Sequence, residues 1–188
     1  MVCIIKSNND VQPPIILSSI FCLILLATNI LVKWQVTFWN MTVTVGLIIY
    51  PLTFLITDYI SELYGKAACQ RLVAYGFLFA VVPSLIFSTL QITIGSLLAY
   101  LIAQYHDVWS FHWWKNKTNG RFLWLRNNAS TIISQLLDTL IFTPIAFYGV
   151  LDNSTIITIM YSEYLFKVIY ALLDTFPLYL FVGLSKKN

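Results

Sequence analysis

The chain has 188 residues, of which 59% are hydrophobic and only 10% charged, with a formal charge of +3 and a mean hydropathy of +0.77. A soluble domain of roughly 150 residues buries only about 70% of the surface that its unfolded chain exposes, too little to hide so apolar a composition. A soluble enzyme, a nucleic-acid module and a disordered tail are therefore excluded, and one integral membrane domain over residues 1–188 is the reading that remains.

The first apolar run, Ile15–Val32, follows Lys6 and lacks a small-residue cleavage pattern behind it. It reads as a retained span rather than a signal peptide. The second run is Met41–Thr57, closed by Asp58, and the third extends from Leu72 to Tyr105 without a charge. As a single helix the third run would be ~51 Å long, far beyond the ~30 Å of bilayer hydrocarbon. The fourth run, Ile132–Gly149, contains Asp138, and the fifth, Ile156–Gly183, contains Glu163, Lys167 and Asp174.

Charge placement decides how often the third run crosses. If it crosses twice, six spans leave Lys6, Lys66, Arg71, Lys115, Lys117, Arg121, Arg126, Lys186 and Lys187 on the cytoplasmic side and only Lys33 outside. A five-span arrangement separates the cations less well, so the positive-inside bias favours six. The expected spans are 15–32, 41–57, 72–87, 90–105, 132–149 and 156–183, with both termini cytoplasmic. Spans three and four are then unusually short, ~24 Å each, with Pro83 and Gly95 near the places where the chain can bend. The polar stretch His106–Ser130 carries Trp109, Trp113, Trp114 and Trp124 among basic residues. That pattern suggests an amphipathic segment at the headgroup level.

Charges within hydrocarbon cost about 2.5–3.5 kcal/mol each even on insertion scales, so each one needs a reason. In the last span Glu163, Lys167, Tyr170 and Asp174 share one helical face. Glu163 and Lys167 stand in the favourable i,i+4 order for an ion pair, which leaves Asp174 over. Thr131, Gln135, Asp138 and Phe142 form a second such face, and Ser96, Tyr100, Gln104 and Asp107 a third. Asp58, Glu62 and Lys66 step along the end of the second span, a pattern that on its own reads as a solvated or salt-bridged helix end. Four spans thus aim polar groups at a shared interior, and Pro51, Pro83, Pro144 and Pro177 loosen the backbone in four of them.

Other chemistries are missing. No phosphate-cradling GxxxxGK[ST] loop occurs, His106 and His112 have no metal-ligand spacing, and no GxSxG turn frames a nucleophile. Cys3, Cys22 and Cys69 have neither redox nor metal spacing. No enzyme, cofactor or metal site is expected.

Three blocks carry a family resemblance. Tyr50–Lys66 (YPLTFLITDYISELYGK) resembles the signature of the queuosine precursor transporters, membrane proteins that import 7-deazaguanine bases. Ser96–Asp107 (SLLAYLIAQYHD) is similar to that family's AY-x-x-x-Q-x-x-D helix, and Leu123–Gly149 to its R-x-N-x-S-T-x-x-S-Q-x-x-D-T pattern. The link from Phe87 to Ser96 is shorter than in members of the family. The resemblance implies an all-α bundle of six transmembrane helices, similar to the substrate-binding subunits of energy-coupling-factor transporters. It implies a small-molecule cargo such as preQ0, preQ1 or queuine, salvaged into tRNA across the inner membrane of a bacterium, with no nucleic acid bound directly. Carried over by motif, Asp58, Glu62, Gln104, Asp107, Arg126, Asn128, Ser130, Thr131, Gln135 and Asp138 are candidate positions. Glu163, Lys167 and Asp174 join them from the last span.

A carboxylate suits such a cargo, because it accepts the two adjacent N–H donors of a guanine-like edge in parallel. Asp138 and Gln135 are the expected reading pair, with Asp58 and Glu62 shaping the cytoplasmic side. Two other readings stay open from sequence: a non-transporting scaffold whose charges pair with another chain, and capture of another vitamin-like solute for an external energising module. A homo-oligomer is also compatible with the sequence.

Overall fold

A bilayer offers backbone groups no water to bond, so apolar runs must satisfy their own N–H and C=O groups as helices. The computed structural model describes residues 12–31, 34–38 and 41–185, and there the runs become helices α1 (Ile15–Leu31), α2 (Val45–Ile49), α3 (Leu52–Leu63), α4 (Lys66–Phe87), α5 (Leu90–Lys117), α6 (Leu123–Phe147) and α7 (Asn153–Ser185). Between α1 and α2 lies a two-stranded antiparallel ribbon of β1 (Gln35–Phe38) and β2 (Met41–Thr44), with Gln35 opposite Thr44 and Phe38 opposite Met41. Cys3, Lys6, Val32, Lys33, Lys186 and Lys187, which entered the sequence reading, lie outside the described residues.

Four segments are long and apolar enough to cross a membrane: Val45–Leu63, Lys66–Phe87, Leu123–Phe147 and Asn153–Ser185. The 17-residue α1 and the more polar α5 complete the bundle. The chain is a multi-pass membrane protein of the all-α class. The short third and fourth runs turn out to be parts of longer helices. α4 starts at Lys66 and has 22 residues, ~33 Å, while α5 continues past Tyr105 to Lys117 and has 28, ~42 Å. The polar stretch after Tyr105 does not form a separate interfacial segment. His106–Lys117 is the last part of α5, because Asp107, Val108, Ser110 and Phe111 are buried within the bundle. Trp109, Trp113 and Trp124 remain outside, each about half exposed.

Local chemistry sets the breaks. Pro51 has no N–H to donate and separates α2 from α3. Gly65, at φ +84°, ends α3 in a conformation that a side chain would strain. After α5 the Gly120 N–H returns to the Lys115 carbonyl at 2.8 Å, with Gly120 at φ +74°. Asp152 caps α7, accepting the Thr155 N–H at 2.9 Å and the hydroxyls of Ser154 and Thr155. These donors hold its carboxyl well below the usual carboxylate range.

The packing inverts the pattern of a soluble protein. Leu78, Val82, Leu85 and Ile86 of α4 and Leu172, Leu173, Phe176 and Leu180 of α7 are exposed, as lipid-facing positions should be. One apolar cluster joins Phe21, Leu25, Ile60, Leu72, Val73 and Tyr100 across α1, α3, α4 and α5. A second joins Leu55, Phe111, Leu123, Leu178 and Val182. Much of the remaining interior is polar: Asp58, Gln104, Asp107, Arg126, Gln135, Glu163 and Lys167 are all buried. At Gly76 the helices approach so closely that a Cβ would lie 2.4 Å from both the Phe21 ring and the Tyr100 hydroxyl.

Candidate functional site

A cavity opens between the helices at the ribbon end of the bundle. About 100 Å³ of it is open to water-sized molecules, and the space widens to about 750 Å³ with its open mouth included. Thr28 and Asn29 of α1, Thr44, Leu47, Tyr50, Ser84 of α4 and Ser96 of α5 line it, and Asp138, Phe142, Glu163 and Lys167 supply the α6–α7 wall. The charged part is tightly ordered. Lys167 Nζ donates to Asp138 Oδ2 at 2.6 Å and to Thr139 Oγ1 at 3.0 Å, and the Tyr50 hydroxyl donates to Asp138 Oδ1 at 3.2 Å. Glu163 Oε2 accepts from the Thr143 hydroxyl at 3.2 Å. The i,i+4 pair expected within α7 is thus replaced by a bond across to α6. With both acids ionised, the wall carries one more negative than positive charge.

One turn below, Gln104 and Gln135 form a fully buried amide layer. Gln104 Nε2 donates to the Thr53 hydroxyl at 3.1 Å, while its Oε1 and both amide atoms of Gln135 have no protein partner. Next comes an acid pair: the Thr131 hydroxyl lies 3.2 Å from Asp58 Oδ2 and 3.3 Å from Asp107 Oδ1. Asp174 stands beside it on α7, its Oδ1 accepting from Asn127 at 3.0 Å.

The far end is a clamp. Glu62 Oε2 meets Arg126 Nη2 at 2.5 Å and Lys115 Nζ at 2.8 Å, and the Arg126 guanidinium lies 5.3 Å from the centre of the Phe111 ring. Asn128 donates to the Trp124 carbonyl and to the Thr175 hydroxyl, tying α6 to α7.

The predicted positions therefore separate by depth. Asp138, Glu163 and Lys167 line the cavity; Gln104, Gln135, Asp58, Asp107 and Asp174 lie beneath it; Glu62, Arg126 and Asn128 hold the opposite end. Asp58, read from sequence as a helix-end charge, is fully buried, and so is Asp107. Sequence reasoning passed over Tyr50, Asn29 and Ser84 as site residues, although the Ser84 hydroxyl bonds Asn29 Oδ1 at 2.7 Å on the cavity wall. The signal for Asn29 was an amide within an apolar run, next to Thr28. Among the described residues no group of three or more His, Cys, Asp or Glu side chains is placed to hold a metal ion.

Comparison with known proteins gives this arrangement a family. Residues 44–91 and 84–181 match the family described as "Putative vitamin uptake transporter". The chain belongs to that family. The two matched stretches overlap at residues 84–91, around the α4–α5 connection. A "Probable queuosine precursor transporter" of Bacillus subtilis is 32% identical over 170 residues, covering 78% of this chain and 74% of the relative. The "Queuosine precursor transporter" of Escherichia coli is 26% identical over 186 residues, covering 87% of this chain and 83% of the relative. No solved structure matches the chain. This vitamin uptake transporter family member is a transport protein and not an enzyme, and its buried charged cavity is the feature a solute carrier requires.

Proposed function

We propose that the chain imports a queuosine precursor (preQ0, preQ1 or queuine) across a bacterial inner membrane for salvage into tRNA. In this reading it has six spans with both termini cytoplasmic, and the ribbon end of the cavity faces outward. The names of the two relatives and the excess of Lys and Arg at the Glu62–Arg126 end support it.

The observation that carries it is a cation buried between two acids at the cavity wall. A deazaguanine presents two parallel N–H donors beside a carbonyl oxygen. Glu163 accepts the donors, and Lys167, steadied by Asp138 and Tyr50, donates to the carbonyl. Phe142 and Tyr50 offer faces on which the heterocycle stacks, worth ~1–3 kcal/mol per base. Asp138 thus acts largely through Lys167, and Gln135 lies below the cargo instead of reading it. For the aminomethyl cargo preQ1, the surplus negative charge of the wall matches its ammonium.

The test is rescue of tRNA modification. A bacterium unable to make queuosine or import its precursors receives the chain and is fed preQ0, preQ1 and queuine in parallel. Queuosine in tRNA is the expected result, and its absence with the protein in the membrane refutes the proposal.

A further inference from the structure

The buried interior holds more acids than cations. Among the described residues the buried acids are Asp58, Asp107, Asp138, Glu163 and Asp174, against the buried cations Arg126 and Lys167, while Glu62 and Lys115 pair at the half-buried edge. Arg126 and Lys115 are committed to Glu62, and Lys167 to Asp138. Among the described residues no Lys or Arg forms an ion pair with Asp58 or Asp107, the acids on either side of Thr131. Isolated ionised carboxylates in so dry a place are prohibitively costly.

The geometry shows how the cost is relieved. Thr131 carries one hydroxyl proton, yet its oxygen stands within hydrogen-bond reach of both Asp58 and Asp107. It donates to one carboxylate, and it completes the second bond only by accepting from the other, which must then be a carboxylic acid. An independent feature lies one turn above. Gln135 and Gln104, both fully buried, have unpartnered amide atoms between the cavity wall and the acid pair, on the helices that carry Thr131 and Asp107. Those unpartnered donors and acceptors can hold water along which a proton passes from the cavity.

We propose that Asp58, Thr131 and Asp107 form a proton-binding site, and that its proton is the ion coupled to cargo import. The proton enters through the Gln104–Gln135 layer, binds a carboxylate oxygen of the pair, and leaves towards the Glu62–Arg126 end as the cargo is released. Other groups facing the pair are Asp174 on α7 and the Cys69 thiol on α4, which donates to the Thr57 carbonyl at 3.3 Å. Ser130 and Ser134 face it from α6.

The coupling part rests on the importer reading, so two measurements keep them apart. Infrared spectroscopy of the purified full chain in nanodiscs at neutral pH should show the carbonyl stretch of a protonated carboxyl group, altered in Asp107→Asn and in Asp58→Asn. Asn is close in shape to a protonated acid, so both variants should fold. Thr131→Val, which removes only the bridging hydroxyl, should shift the band. A band indifferent to all three substitutions, or no band, overturns the proton site.

In liposomes, with radiolabelled preQ1 as probe, an inwardly directed proton gradient should raise uptake several-fold over equal-pH exchange. Asp107→Asn should collapse that ratio towards one. Exchange without any gradient response, or a response to sodium instead, overturns the coupling. Absence of exchange with preQ1, preQ0 and queuine alike overturns the importer reading and the coupling together, while the infrared result still decides whether the pair holds a proton.

Discussion

The Asp138–Lys167 pair can be tested by a double-mutant cycle whose terms follow from the structure. The two side chains are 8% and 1% exposed and bond at 2.6 Å. Breaking such a pair by removing one partner costs about 3–5 kcal/mol. Asp138→Asn leaves Lys167 with the Thr139 hydroxyl and with Glu163 one turn away on α7 as a substitute anion, so its cost should lie near 3 kcal/mol. Lys167→Met strands two acids in one wall, with only the Tyr50 and Thr143 hydroxyls for relief, and should cost about 4 kcal/mol. The double variant returns the wall to the wild-type net charge, with Glu163 alone, and should regain at least about 2 kcal/mol against the sum of the singles.

Unfolding in mixed micelles measures all three. Additive single effects would refute this account of the wall.

Tyr50→Phe removes one donor to Asp138 and should weaken cargo uptake several-fold in the tRNA rescue assay, at about 1.5–3 kcal/mol for a bond to a charged group; unaltered uptake would place Tyr50 outside the machinery. Gly76→Ala forces Phe21 and Tyr100 apart and should cost about 1–3 kcal/mol in the same unfolding assay. Gly183→Ala, with nothing within 4 Å of the added carbon, should be neutral or stabilising. On the part of α5 beyond its apolar run, burial and the neighbouring Lys115 and Lys66 push His112 down to about 4 from the ordinary value of 6.5. The unfolded chain therefore binds a proton there first, so stability is full above about pH 6.5 and falls as pH drops towards 4. His112→Phe should flatten that part of a melting-temperature profile; an unchanged profile removes His112 as its cause.

Much of the bundle was legible because hydrocarbon punishes polarity. A polar residue repeated at helical spacing within an apolar run must face inward, and this placed Asp138, Glu163, Lys167 and Gln135 in the interior. Depth was not legible: periodicity fixes which face a residue occupies but not which neighbour it meets. Lys167 therefore looked like the i,i+4 partner of Glu163 when its bond goes to Asp138. The lengths of α4 and α5 were hidden for a related reason. Their ends turn Asp107 and Ser110 into the protein while Trp109 and Trp113 face outward, so the average polarity rises although the helix continues. Asp58 looked like a solvated helix end because sequence cannot show that α5 and α6 close over it.

The interruption at Tyr50–Pro51 bears on how the cavity is entered. α2 has only five residues and is divided from α3 by a residue that cannot donate. The α2 stub therefore detaches with fewer broken backbone bonds than any full-length helix, and it carries with it the β-ribbon and one wall of the chamber, Thr44 to Tyr50. Tyr50 sits at the pivot and grips Asp138 from there, so the bond that steadies the charged wall is also the latch on its most easily displaced panel.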